Sequence, residues 1–250
     1  MEISLAAEPL FYLGNFPVTN TLLVTFAIGV FIFIISFSLK NRLSLVPRGV
    51  QNIVEYAIEG LLDLVDSVTN DRRQTEKFFP VVSTIFIFVI LSNWVELIPG
   101  LGTVGLNATH HGQATIIPFL RSASADLNVT LALALISVFT IQFMGISAIG
   151  VVKYAKKFFV SPLHKPYFIG TFVGVLELIG EVAKILSFSF RLFGNIFAGE
   201  VLLTVMLTLV PFFIPLPFLM LEIFVGFIQA LVFAMLTLVF LKIATVEAAH

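Results

Sequence analysis

The feature that most constrains this chain is the apolar run over residues 168–210, which holds 43 residues without a proline. As a single helix this run would be about 65 Å long, whereas the hydrocarbon layer of a bilayer is about 30 Å thick. In a membrane such a helix either breaks or lies strongly tilted. A strong tilt needs a neighbouring protein to support it, because mismatch alone gives modest tilts.

Four further segments have the length and apolarity of membrane spans: residues 21–39, 78–98, 129–152 and 218–241. With 58% hydrophobic and 12% charged residues, the chain carries more apolar surface than a soluble domain can bury. Residues 48–70 place apolar side chains at helical spacing opposite four acids, which predicts an amphipathic helix on the membrane surface, bound to lipid or protein.

The predicted fold is a single all-α integral membrane domain over residues 1–250. It has five membrane-embedded helical segments, an amphipathic surface helix at 48–70 and an outer N-terminal segment at 1–20. The last two helices are long and strongly tilted and form a hairpin over residues 168–245. Eleven of the 14 Lys and Arg residues fall on one side of this arrangement and Arg121 alone on the other. The positive-inside rule then predicts an outer N-terminus and a cytoplasmic C-terminus.

Several classes of function are disfavoured by the sequence. With a net charge of −1, the chain lacks the excess of basic residues that is typical of nucleic-acid binding. It also lacks a glycine-rich phosphate loop, so nucleotide binding is not predicted. Cysteine is absent, and His110 and His111 have no further ligands at metal-binding spacing. We therefore expect no cofactor and no metal.

Arg191 carries the strongest indication of function. A permanent cation at bilayer depth costs roughly 2.5 kcal/mol or more. We therefore expect the charge to serve a function that involves ions or protons. Glu177, Lys184 and Asn195 share its helical face. Glu200 lies nine residues further, half a turn away, so Arg191 must find its counter-charge elsewhere.

The fifth span places Glu222 and Gln229 on one face, seven residues apart. In an antiparallel hairpin Gln229 is predicted to approach Arg191 and hydrogen-bond to it. Carboxyls at bilayer depth favour the neutral form, so Glu200 and Glu222 are candidates for proton exchange. A fixed cation between such groups prevents a proton from hopping directly from one to the other. This arrangement is typical of two proton half-channels that are separated by a positive barrier.

Two further groups of polar residues have two interpretations each. Asp126 and Asn128 resemble a capped helix start, and Asp126 is also a candidate for the outer proton path. Glu177, Glu181 and Lys184 form either structural pairs or a solvated access vestibule. Glu96, at the edge of the second span, is interpreted as interfacial.

Residues 191–200 (RLFGNIFAGE) closely resemble the signature of subunit a of F-type ATP synthases. Residues 124–130 (SADLNVT) and 227–237 (FIQALVFAMLT) support the resemblance, which extends from about residue 46 to 244. It implies a stator subunit in which Arg191 faces the carboxylate of a rotating c-ring, with Glu200 and Gln229 on the proton path. Nucleotide chemistry would then lie on other subunits.

The resemblance further implies peripheral-stalk b subunits and the lipid bilayer as partners, and a bacterial plasma membrane rather than a mitochondrial inner membrane. Glu at both positions 200 and 222 departs from familiar members, where one of the two is His, and leaves the relay order open. The choice between H⁺ and Na⁺ stays open as well. Two other classes compete: a self-contained secondary transporter that binds an anionic substrate at Arg191, and a membrane scaffold without an ion path.

Overall fold

Seven α-helices hold most of the residues that the computed structural model describes, which are 7–40, 49–98, 105–110, 113–158, 169–210, 213 and 215–245. The helices are α1 (Asn20–Lys40), α2 (Val50–Thr69), α3 (Arg72–Val95), α4 (Leu127–Ile149), α5 (Val151–Phe158), α6 (Ile169–Leu209) and α7 (Pro215–Thr245). Five of them, α1, α3, α4, α6 and α7, are long and apolar enough to cross a membrane. The prediction of five spans is therefore confirmed.

Helix α6 is unbroken over 41 residues. Its length of about 60 Å is twice the thickness of the hydrocarbon layer. The alternative of a broken fourth span is wrong, and the strong tilt of this helix in the membrane stays a prediction from its length.

Two short antiparallel hairpins were not anticipated from the sequence. Strand β1 (Pro9–Leu13) pairs with β2 (Phe16–Thr19), and β3 (Gly105–His110) pairs with β4 (Gln113–Pro118). Gly14 lies between β1 and β2 with a φ of 67°, a turn conformation that glycine adopts without strain. Pairing satisfies backbone groups in segments too short for a spanning helix. His111 lies outside the described residues.

The core lies between α3, α4, α6 and α7. Its buried side chains recur every three or four residues along each helix, as one face of a helix requires; they include Phe78, Val82, Val89, Ala134, Ile141, Phe188, Leu192, Ile196, Phe233, Leu238 and Leu241. By contrast, α1 buries Val24 and Ile28 and leaves Phe26, Phe31 and Phe33 exposed. We assign that exposed side of α1 to lipid.

The predicted amphipathic helix is α2, and it packs on the core through its C-terminal half. Val65 is buried there, and Lys242 Nζ donates a 2.7 Å hydrogen bond to the Val68 carbonyl near the end of α2. Ile53 and Tyr56 in its N-terminal half are exposed. Protein therefore covers one half of the apolar face.

Gly145 of α4 lies where α5 and α7 meet, and it leaves no room for a larger side chain. A methyl group there would lie 2.6 Å from Tyr154 Cε2 and 3.0 Å from the Ala244 carbonyl. We expect Gly145→Ala to destabilise the fold by about 1–3 kcal/mol through overpacking, measured by thermal unfolding in detergent. Gly180→Ala is the control, because nothing lies within 4 Å of its added methyl. Equal midpoints for the two variants would contradict the packing described.

Candidate functional site

Arg191 lies on a side of α6 that points away from the core of this chain. Together with Ser187, Phe190, Gly194, Asn195 and Ala198 it forms an exposed surface, here called the Arg191 face. On the other side of the helix, Leu192 and Ile196 are buried. Arg191 Nη2 donates a long hydrogen bond, 3.3 Å, to Ser187 Oγ. No acid pairs with Arg191 in the described part of the chain, as the sequence led us to expect.

Gln229 contacts α6 one turn beyond Arg191. Asn195 Nδ2 donates to Gln229 Oε1 at 2.7 Å, and Gln229 is buried. The predicted Arg191–Gln229 hydrogen bond is therefore wrong among the described residues. Burying the neutral amide of Gln229 against Asn195 avoids the cost of burying a guanidinium, and Arg191 stays on the exposed side.

Contacts between α6 and α7 show that the two helices run antiparallel. Lys184 Nζ lies 4.7 Å from the centre of the Phe240 ring, Asn195 bonds to Gln229, and Gly199 approaches Glu222. As the residue number rises on α6 it falls on α7. The predicted hairpin orientation is thus present.

Glu200 has a partner that the sequence did not suggest. Arg121 donates from Nη2 at 2.9 Å and from Nε at 3.2 Å to the same oxygen, Oε2, of Glu200. The two side chains are only 7% and 18% exposed, so the pair is largely desolvated. Glu200 thus forms its ion pair with Arg121 and not with Arg191. The sequence did contain a signal for this pair. Arg121 is the one base that the predicted arrangement of spans places on the outer side, and it lies three residues before the SADLNVT segment.

Two further carboxyls lie beside this pair. Glu96 interacts electrostatically with Glu200, Arg121 and Glu222, and Glu222 interacts with Glu200. We call these four residues the Arg121 cluster. The interpretation of Glu96 as merely interfacial needs correction, because the chain folds α3, α6 and α7 so that their acids meet. Gly199 leaves room for Glu222, since a Cβ there would overlap its carboxylate.

A second polar group surrounds the N-terminal half of α6. Lys184 Nζ pairs with Glu181 Oε1 at 2.7 Å, which confirms the predicted pairing. Tyr154 OH donates to Gln142 Oε1. Burial, reinforced by Glu181 and Glu177, raises the pKa of Tyr154 to about 12, so its phenol keeps its proton. We call these residues the Glu181 cluster: Gln142, Tyr154, Glu177, Glu181 and Lys184.

One oxygen of this second cluster is available to water or a proton. Glu181 Oε2 is buried and has no hydrogen-bond partner among the described residues. A buried carboxylate oxygen without a partner costs free energy unless a mobile group satisfies it. The cluster therefore combines structural pairing with one open site.

Asp126 is the N-cap of α4, as the sequence predicted. Its Oδ1 accepts from the Asn128 backbone N–H at 2.9 Å, and its Oδ2 accepts from Thr21 Oγ1 of α1 at 2.7 Å. Both carboxylate oxygens are engaged. The geometry thus makes Asp126 a junction between α1 and α4.

Comparison with known proteins identifies the family. A family model described as ATP synthase A chain matches residues 18–242, which include every residue of both clusters and Arg191. The chain belongs to the ATP synthase subunit a family. ATP synthase subunit a of Campylobacter jejuni is 35% identical over 218 residues, covering 85% of this chain and 84% of the relative. The Campylobacter concisus protein is 33% identical over 228 residues, covering 89% and 88% of the two chains, and the Moorella thermoacetica protein is 29% identical over 232 residues, covering 93% of each.

As a member of the subunit a family, this chain is a multi-pass membrane subunit of an ATP synthase complex. The match over nearly the whole chain gives no support to the alternative of a self-contained secondary transporter.

The close approach of Gly199 to Glu222 predicts energetic coupling between α6 and α7. Gly199→Ala forces the Glu222 carboxylate to move, whereas the shorter side chain of Glu222→Asp withdraws from the added methyl. We expect a double-mutant cycle to give a coupling of about 0.5–3 kcal/mol in thermal unfolding. Gly194→Ala is the control, because its added methyl meets nothing within 4 Å. Strict additivity of the first pair would mean that the two helices do not approach as described.

Proposed function

We propose that this chain is the stator subunit of a rotary ATP synthase membrane sector. It provides two proton half-channels to the c-ring, separated by Arg191, and so couples transmembrane proton flow to rotation and ATP synthesis. Family membership and the placement of charges along α6 support this function.

The observation that carries the proposal is the exposure of Arg191 on α6. A guanidinium at bilayer depth is costly without a counter-charge, and within the described residues Arg191 bonds to a neutral hydroxyl. A carboxylate on a neighbouring ring subunit would supply the missing charge. Gly194 and Ala198 on the Arg191 face are small, which allows another helix to approach closely.

Separation of the two clusters along α6 supports two half-channels. Lys184 precedes Arg191 by seven residues, about 10 Å, and Glu200 follows it by nine residues, about 13 Å. The Glu181 cluster and the Arg121 cluster thus lie on opposite sides of the cation. A proton cannot pass Arg191 directly, because a positive charge repels it. It must cross on the carboxylate of a moving ring subunit.

We assign the outer half-channel to Glu200 and Glu222, with Asn195 and Gln229 as polar groups near Arg191. The inner half-channel contains Glu177 and Lys184, beside the open oxygen of Glu181. Asp126 supports the outer half-channel as the junction between α1 and α4. Carboxyls in such positions are the usual components of membrane proton relays.

Energetics favour a rotary device. One charge that crosses 100 mV releases about 2.3 kcal/mol, so several crossings must be collected for each ATP. A ring that advances by one subunit per proton collects them in small steps. The peripheral-stalk b subunits would hold the stator still against this rotation.

The proposed location is a bacterial plasma membrane, with the N-terminus outside and the C-terminus in the cytoplasm. The distribution of Lys and Arg and the bacterial origin of the relatives support it. In this orientation the C-terminal end of α6 and the N-terminal end of α7 lie on the outer side, and Glu200 and Glu222 of the Arg121 cluster are close to these ends.

Replacement of Arg191 tests the proposal. We expect Arg191→Ala to leave the complex assembled and to reduce proton-driven ATP synthesis to background, because the cation that separates the half-channels is gone. ATP synthesis is measured in vesicles under an imposed proton gradient. Arg72→Ala is the control, since Arg72 at the start of α3 forms an exposed pair with Glu76. Normal synthesis by Arg191→Ala would refute the central role.

Replacement of Glu222 tests the outer half-channel separately. We expect Glu222→Gln to slow proton conduction through the membrane sector by about a hundredfold, the usual loss when a proton-transfer group is removed. Passive proton flux is measured in vesicles stripped of the nucleotide-binding subunits. Glu76→Gln, a change at a side chain that is 68% exposed, is the matched control. Unchanged flux in Glu222→Gln would remove this residue from the path.

A further inference from the structure

Arg121 is held in one position by the short segment before α4. Ser122 Oγ donates to the Ser92 carbonyl at 3.0 Å, and Ser124 N–H donates to Ser122 Oγ at 3.3 Å. These bonds tie the segment to α3. The guanidinium is therefore presented to Glu200 by a backbone that is itself fixed, and the side chain is almost fully buried.

The charges around this guanidinium are unbalanced. Glu200 faces Arg121 directly, Glu96 approaches from the end of α3, Glu222 from α7, and Glu8 from the segment before β1. Among the described residues, Arg121 is the cation beside Glu200 and Glu96, while Glu222 and Glu8 add further negative charge next to Glu200. Where water is largely excluded, a nearby cation lowers the free energy of ionising a carboxyl group, and neighbouring carboxylates raise it.

The contact geometry divides these carboxyls into two kinds. Arg121 donates two hydrogen bonds to Oε2 of Glu200, and charge-assisted bonds of this kind favour the ionised form of that carboxylate. Glu222 lies against Gly199, one residue before Glu200 on α6, and so stands beside the negative charge of Glu200. A proton that arrives in the cluster is therefore held by Glu222 or Glu96 in preference to Glu200.

We propose that Arg121 is a positioning residue of the outer half-channel, which holds Glu200 ionised and thereby sets the pH at which Glu222 and Glu96 release their protons to the outer side. This inference rests on the proposed function. The step itself moves one proton from a carboxyl of Glu222 or Glu96 to water and leaves a carboxylate behind. Arg121 neither gives nor takes a proton.

The test measures ATP-driven proton pumping by the reconstituted complex into vesicles whose lumenal pH is set by trapped buffer. The lumen corresponds to the outer side. With Arg121→Gln the cluster loses its cation and holds protons more tightly, so release needs a more alkaline lumen. We expect the lumenal pH of half-maximal pumping to rise by about 1–3 units, the effect of one nearby opposite charge.

Three companion variants separate electrostatics from structure. Arg121→Lys keeps the charge and should keep the midpoint near that of the unaltered complex. Glu200→Gln removes a negative charge and should move the midpoint of the remaining pumping to lower pH. Arg121→Gln combined with Glu200→Gln removes both charges and should bring the midpoint back. Arg72→Gln is the control for loss of a paired arginine elsewhere.

Each outcome is decisive. Opposite shifts for Arg121→Gln and Glu200→Gln, cancelled in the double variant, support the inference. Unshifted midpoints with lower amplitude in Arg121→Gln and Arg121→Lys alike would overturn it. If Arg121→Gln does not assemble, the comparison of Glu200→Gln with the double variant decides, and identical midpoints would overturn it. Failure of the proposed function looks different, because Arg191→Ala would then pump normally.

Discussion

The structure depends on the cost of a permanent cation in a hydrocarbon environment. Arg191 cannot be neutralised by losing its proton, and α6 directs it away from the core of its own chain. Because no acid on the described part of this chain pairs with Arg191, we infer that its counter-charge lies on a neighbouring subunit. Proteins of the subunit a family are parts of ATP synthase, and in such an assembly a neighbouring subunit can supply the counter-charge.

The long unbroken α6 makes the separation of charges possible. One helix of 41 residues carries Glu177, Glu181 and Lys184 of the Glu181 cluster, then Arg191 and Glu200, in that order. Antiparallel α7 supplies Gln229 and Glu222 opposite the second half of this series. Since α6 packs on α4, and α7 packs on both α3 and α4, with Leu192, Phe233 and Leu238 in the shared core, the polar groups are positioned by apolar packing. Packing thus determines how far each carboxyl lies from the cation.

Apolar periodicity and length were enough to predict the spans, the amphipathic helix and the long hairpin. These features depend on the match between segment length and bilayer thickness, which a sequence contains. The N-cap at Asp126 and the pair between Glu181 and Lys184 were predictable for another reason, because both are local in sequence.

Contacts between distant segments were not predictable. Arg121 and Glu200 are 79 residues apart, and their pairing depends on how the segment before α4 returns to α6. The same holds for Glu96, which sequence position alone placed at an interface. The Asn195–Gln229 bond shows a finer limit, since the helices were paired correctly and the register was wrong by one turn. The two hairpins were missed because turn residues give a weaker signal than long apolar runs.

The central claim is that the counter-charge of Arg191 belongs to another subunit. The most direct measurement is a high-resolution cryo-EM map of the intact complex in lipid. The account predicts a small apolar neighbour against the Arg191 face, with a carboxylate oxygen within about 4 Å of the guanidinium in at least one rotational state. A map in which the guanidinium is satisfied wholly by groups of its own chain, with lipid alone against that face, would contradict it.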